Sequence, residues 1–363
     1  ESIAVRDQPA QIVRLARSPR GPILPSDLVG AQADTAIALR WSGTEATLDI
    51  DAGLALFEAH DVTSFRAATA MHGGPTLDFV WADRDGHVAR QFAGRVPRRA
   101  GQLEDPHAEV DGLSLLDGED PRGAWQGWVP FESLPHQVDP EAGIVVSANH
   151  CPYGPDDPKL VGRWFQPPYR AARIFELLSK KTRYQLEDLA SIQLDVDSRW
   201  ARACRDALLG NIDDTELALE PTRGKDVVAL ARRWDGQAEQ DSAGAAATYV
   251  LLDCTLRHLF FEDLGEVAFE RYFELINAGT LAFLETLRDP NSPWMRGRDR
   301  ATLVRDAAAM AEGRLRRRLG ADPTNWRWGA LHRVTFRHPL DGSFGESFRY
   351  DLGLRSIASP GSF

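Results

Sequence analysis

Asn149 ends the apolar run Gly143-Ile144-Val145-Val146-Ser147-Ala148-Asn149-His150 and is the residue best placed to do chemistry. The run reads as a strand that terminates on an amide side chain. A loop follows, and then the Arg-bearing helix start Pro167-Pro168-Tyr169-Arg170-Ala171-Ala172-Arg173-Ile174. An amide held rigidly at a strand end can aim its N–H at a developing oxyanion, which is the electrophilic half of an acyl-transfer site. The nucleophilic half is not evident in these residues. Cys151 is adjacent to His150, but neighbours on an extended chain point to opposite faces, so they do not make a thiol–imidazole pair.

Other chemistries find less support. The three cysteines match no zinc spacing, and Cys204 and Cys254 sit in amphipathic helical text that reads as buried core. None of the nine histidines forms an H-x-x-x-H or H-E-x-x-H pair, which argues against a metal hydrolase. Carboxylates are plentiful, but the sequence alone pairs none of them for glycosidase work.

The 363 residues carry a net charge of −11, which disfavours a broad nucleic-acid surface. The basic run Arg314-Leu315-Arg316-Arg317-Arg318 reads instead as the solvated last turn of a helix, where cations suit the dipole. No stretch reaches the roughly 18–20 apolar residues of a membrane helix. The first residues do not resemble a signal peptide.

The elements that must position Asn149 follow from periodicity. Residues 1–150 read mainly as strands and loops, with alternation over 11–17 and 36–41. A helix is expected from near Asp61 to Met71, with Thr63 and Ser64 as competing caps. A hairpin follows: Leu77 to Trp81, a turn at Asp83-Arg84-Asp85-Gly86, and a return strand from His87 to Phe92. Residues 97–124 lack a period and read as a surface excursion, with an aromatic packed loop after them. Residues 169–319 turn helical. Leu186, Leu189, Ile192 and Val196 share one face, Ala243–Leu264 reads as a central buried helix, and another helix begins near Asp299. Strand text returns over 330–363, where Leu331, Val334 and Phe336 alternate with polar residues. The order strand, helix, strand, without a linker-like tract, implies one composite domain over 1–363.

Several short motifs stand in order along the chain: Phe79-Val80-Trp81-Ala82-Asp83 with Gly86, Ala93-Gly94-Arg95-Val96-Pro97 and Gly127-Trp128-Val129-Pro130-Phe131-Glu132. Ser147-Ala148-Asn149-His150, the Pro167–Ile174 run, Arg233-Trp234-Asp235-Gly236 and Trp326-Arg327-Trp328-Gly329-Ala330-Leu331-His332 extend the series. In these residues and their order the chain resembles the penicillin acylase family of N-terminal-nucleophile hydrolases.

The resemblance implies a layered α/β fold, an αββα sheet sandwich with a helical insert, present here in part. It implies a Ser nucleophile at the start of a large β chain, with its own α-amine as base. It makes this chain an internal piece of that large chain. The partners would be the small α chain and the Ser-bearing part of the precursor, and the substrate a small acyl amide. Asn149 matches the oxyanion Asn, although His150 departs from the commoner second Asn. Arg170 matches a supporting Arg. Leu77 falls at an acyl-pocket position, and Phe79 and Trp81 are candidate pocket wall. No organic cofactor is implied. Structural calcium is, with Asp156 and Asp157 as weak candidates. The compartment implied is the periplasm or the exterior.

Overall fold

The computed structural model describes residues 1–29, 34–105, 115–154, 157, 161–162, 164–220, 223–275, 278–335 and 356–358. It resolves into two compact units, Glu1–Phe165 and Gln166–Phe363.

In the first unit the hairpin forms as its sequence predicts. Strand Leu77–Ala82 pairs antiparallel with Val88–Ala93, and His136–Val138 adds a third strand beside the latter. Gly86 takes φ 95° in the turn, a conformation that an L side chain would strain. The Asp83 side chain closes the turn by accepting from the N–H groups of Asp85 and His87. Across the hairpin Asp78 lies opposite Phe92, and Val80 opposite Arg90. Asp78, Val80, Arg90 and Phe92 therefore share one face, and Leu77, Phe79, Trp81 and Gln91 the other.

Helix Val62–Ala70 packs on the second of these faces. Phe65 stacks on Trp81 with ring centroids 5.1 Å apart, and the Arg66 Nε donates to the buried Gln91 amide. The cap of this helix is Asp61, not Thr63 or Ser64. Ser64 sits at the third helical position and closes a capping box with Asp61.

Several short strands expected from alternation are smaller than the text suggests. Residues 11–17 yield only Gln11–Ile12, paired with Ser2–Ile3, and Arg17–Ser18. Of residues 36–41 only Ala38 bridges, to Ile23. Ile12 is 80% exposed, so this alternation has no apolar face to bury. Residues 97–124 are not wholly an excursion. Strand Pro97–Arg99 pairs with Trp125–Trp128, and helix Ala100–Glu104 follows it. The run 143–147 is likewise not a strand, although Ile144, Val145 and Val146 favour one.

The second unit is helical around one large core. Helices Tyr169–Leu178, Arg199–Leu209, Lys225–Arg233, Ala278–Arg288 and Arg300–Leu319 surround Ala243–Leu275. The central segment is two helices joined at Gly265, whose φ 68° and ψ 169° are not helical. The break falls one residue after the predicted end at Leu264. Fully buried Trp326, Trp328, Phe283, Leu208 and Leu251 mark the core, and Cys204 and Cys254 lie in it as small apolar groups. Burial pushes the Cys204 thiol well up and that of Cys254 up to about 12. The expected face through Leu186, Leu189 and Val196 is not a buried one. Helix Leu186–Gln193 stops short of Val196, and Leu186 and Leu189 are exposed. The helix expected near Asp299 begins there, with the Asp299 side chain accepting from the Thr302 N–H. Of the basic run, Arg314 pairs with Asp253, and Arg316 with Glu312 and Asp226. Strand Arg333–Thr335 pairs with Ser356–Ala358, while Phe336 lies outside the described residues.

Candidate active site

The segment that bears Asn149 is fastened to the hairpin on both sides. Upstream, the Ser147 hydroxyl donates to Asp78 Oδ2 at 2.6 Å. Downstream, His150 Nε2 lies 3.5 Å from an Arg90 Nη. Asp78 and Arg90 form a bidentate pair: Nε is 2.9 and 3.0 Å from the two carboxylate oxygens, and Nη2 is 2.7 Å from Oδ2. Both side chains are nearly buried. The Arg90 guanidinium also sits 5.2 Å from the Phe92 ring centroid. Such a pair is costly to break once desolvated, so it makes a firm post for the loop.

Between the two fastenings Asn149 is exposed and holds φ 59°. The left-handed region is uncommon for an L-residue, and Asn is among the few that tolerate it. The amide thus stands at a fixed turn, not at a strand end. Ser147 is poorly set up as a nucleophile, because its proton acceptor is a carboxylate already engaged by a guanidinium. Beside Arg90 opens a cavity of about 310 Å³, with His136, Tyr153 and Asp157 also in its wall. The Tyr153 hydroxyl accepts from the Val161 N–H, and burial pushes the phenol up to about 12.

The remaining predicted residues lie as follows. Leu77 is exposed at the hairpin end. Phe79 meets the His72 ring edge-on at 5.5 Å, and Trp81 stacks on Phe65. These three face away from Asp78 and Arg90. Cys151 is exposed, and its thiol lies 3.9 Å from the Tyr153 carbonyl oxygen. Asp157 accepts from the Gly154 N–H at 2.7 Å. Asp156 lies outside the described residues. Among the described residues no group of three or more His, Cys, Asp or Glu is arranged to hold a metal ion.

Arg170, in the second unit, occupies the first turn of helix Tyr169–Leu178 and is exposed. A cation there opposes the helix dipole. One turn on, Arg173 holds the helix in place. Its Nε and Nη2 grip both oxygens of Asp195 at 3.0 and 2.7 Å, and Nη1 donates to Glu176 at 2.9 Å. The Arg173 guanidinium holds the Asp195 carboxyl below its usual range.

Asp78, Arg90 and Ser147 were not singled out from sequence. The signal lay in the hairpin: once Gly86 fixes the turn, residues 78 and 90 become diagonal neighbours on one face.

Comparison with known proteins gives the frame for this geometry. The penicillin amidase family model matches residues 1–363. The chain is 25% identical over 351 residues to the penicillin acylase 2 proenzyme of Pseudomonas sp. (strain SE83), covering 95% of this chain and 42% of the relative. It is 26% identical over 353 residues to the acyl-homoserine lactone acylase QuiP of Pseudomonas putida, covering 91% and 41%. The chain thus spans under half the length of these relatives. A thermostable penicillin G acylase from Alcaligenes faecalis superposes with a TM-score of 0.66 at 18% identity, over 90% of this chain and 61% of that one. The fold class is therefore the mixed helix-and-sheet N-terminal-nucleophile hydrolase fold that the sequence resemblance implies. Among the described residues no helix is long and apolar enough to cross a membrane. The chain belongs to the penicillin amidase family.

Proposed function

We propose that this chain is the oxyanion-bearing part of an amidohydrolase that cleaves N-acyl amides through an acyl-enzyme. The observation that carries this reading is Asn149, fixed in a left-handed turn between the Ser147–Asp78 and His150–Arg90 contacts. An amide so held needs little reorganisation as charge develops on a carbonyl oxygen.

In this reading a Ser at the start of the large chain, supplied by another segment of the same precursor, attacks the substrate carbonyl. Its α-amine, with a reference pKa of about 7.7–8.0, takes the hydroxyl proton. The Asn149 amide donates to the tetrahedral oxyanion. The α-ammonium then protonates the leaving amine as the C–N bond breaks. Water, deprotonated by the same amine, attacks the ester carbonyl, and the α-ammonium returns the proton to the serine oxygen as the ester C–O bond breaks and the carboxylic acid leaves. By the family resemblance Arg170 is a supporting residue of the whole enzyme, and Leu77, Phe79 and Trp81 are positions of the acyl-pocket wall. The substrates are the acyl side chains of β-lactams or N-acyl homoserine lactones, by similarity to relatives of both names. The protein is made as a precursor, cleaves itself into two chains, and works in the periplasm or outside the cell. Structural calcium belongs to this reading with most ligands drawn from other segments, and nucleic acid does not.

The test is hydrolysis of a chromogenic phenylacetyl amide and of an N-acyl homoserine lactone. The complete encoded protein is expected to cleave at least one, and the 363-residue chain neither. Failure of the complete, processed protein on both would leave a non-catalytic binding role for the fold.

A further inference from the structure

A cleft of about 360 Å³ opens in the second unit beside helices Ala243–Leu275 and Arg300–Leu319, with residues of the short helix Trp328–Leu331 in its wall. Its volume lies within the range of small-molecule sites. The apolar wall is Val250, Leu315, Leu331 and the rings of Tyr249 and Trp328. The two rings stack with centroids 4.4 Å apart and planes inclined by 16°. Ser198 engages the Tyr249 hydroxyl at 2.6 Å, which leaves the ring as the face for the cleft.

The rest of the lining is charged and unbalanced. Arg314, Arg317 and Arg318 stand against one carboxylate, Asp253. Arg314 and Arg257 already share that carboxylate. Among the described residues Arg317 and Arg318 have no ion-pair or hydrogen-bond partner. Cations at a helix end suit its dipole, but the dipole does not account for their meeting at an apolar cleft. The chain as a whole carries −11, so the cleft reverses the sign of the molecule locally. A cleft lined by one sign of charge concentrates the opposite ion. Burial orders the two kinds of lining. Tyr249, Leu315 and Trp328 are buried, whereas Arg317 and Arg318 are exposed. The cleft is therefore apolar at depth and cationic at its mouth.

We propose that this cleft binds a small organic anion, a carboxylate with an apolar body. The head group meets Arg317 and Arg318, and the body lies along Val250, Leu315, Leu331 and Trp328. A carboxylate suits these arginines because its two oxygens match the planar N–H fork of a guanidinium. The apolar body takes the wall out of water. An inorganic anion would leave that wall wet, and an uncharged apolar molecule would leave the guanidiniums unmatched. The site does not depend on the acylase reading, and binding alone reports on it.

A decanoate analogue with a diazirine on its chain, photolysed with the complete encoded protein and mapped by peptide mass spectrometry, tests this. The expected label falls on peptides that contain residues 249–253, 314–318 or 328–331. It drops about tenfold or more in Arg317→Gln/Arg318→Gln. Octanoate competes for it, and octanol or sulfate at the same concentration does not. Both arginines are exposed, so the double variant should keep the thermal midpoint of the unaltered protein. Val250→Trp keeps both arginines, fills the cleft and should also remove the label. Label only elsewhere, label retained in either variant, or equal competition by octanol or by sulfate overturns the proposal.

Discussion

Ser147 and Asp78, 69 residues apart in sequence, meet at 2.6 Å, and this contact ties the Asn149 turn to the hairpin. The relationship makes the role of Asn149 testable in a way the sequence alone does not.

In the complete processed enzyme, Asn149→Gly and Asn149→Ala separate two roles for the residue. Gly accepts φ 59° freely, whereas Ala there costs about 1–2 kcal/mol. If the amide stabilises the oxyanion, both variants lose about 10²–10³ in turnover, with a smaller change in KM. Cys151→Ser, as a control, is expected to change little. Near-normal turnover in the Gly variant, with a loss only in Ala, would reduce Asn149 to a turn residue.

The pair His87–Asp139 gives a pH dependence. Its Nδ1–Oδ2 distance is 2.8 Å, and Asp139 also accepts from the Val88 N–H. The Asp139 carboxylate raises the His87 pKa above its usual 6.5, and the Val88 N–H, then His87, hold the Asp139 carboxyl below its usual 3.8. The His87 contribution to stability is complete below 6.5 and is lost as pH rises through its raised value. That of Asp139 is present above 3.8 and is lost as pH falls through its lowered value. An NMR titration of the His87 ring should show a midpoint above 6.5 that returns toward it in Asp139→Asn. An unchanged midpoint in that variant would refute the assignment.

Glu312 is fully buried in helix Arg300–Leu319. Its two oxygens accept from the Gly224 N–H at 2.7 Å and from Arg316 Nε at 2.8 Å. Glu312→Ala leaves the buried Gly224 N–H without its acceptor and takes one of two carboxylates from Arg316, which keeps Asp226, and should cost about 1–3 kcal/mol in chemical denaturation. Glu312→Gln keeps an acceptor and should cost less. Equal and small losses in both variants would show that the Gly224 helix start is held by other means.

Where the sequence was legible, a local rule met no competitor. Gly86 between two alternating runs specifies one hairpin, and that hairpin formed in register. The apolar run that reads as a helix to Leu264 stops there, where Gly265 takes backbone angles open essentially to glycine alone. Where reading failed, tertiary context decided. Ile144, Val145 and Val146 have strand propensity, yet propensity makes a strand only beside a partner, and this segment is held by side chains instead. Ser64 looks like a cap because Ser often is one, but Asp61 precedes it and takes the role. The Asp78–Arg90 pair needed register, not composition, to be seen.

The bend at Gly265 bears on how much genetic change this helix can absorb. A straight helix would separate residues 260 and 273 by about 20 Å, whereas their rings lie 5.6 Å apart. The second helix doubles back because one residue adopts angles open essentially to glycine alone. An added Cβ would meet no atom within 4 Å, so crowding is not the constraint. Every missense change in a glycine codon introduces an L side chain. Codon 265 is therefore intolerant of substitution for reasons of backbone chirality, even though the space around it is open.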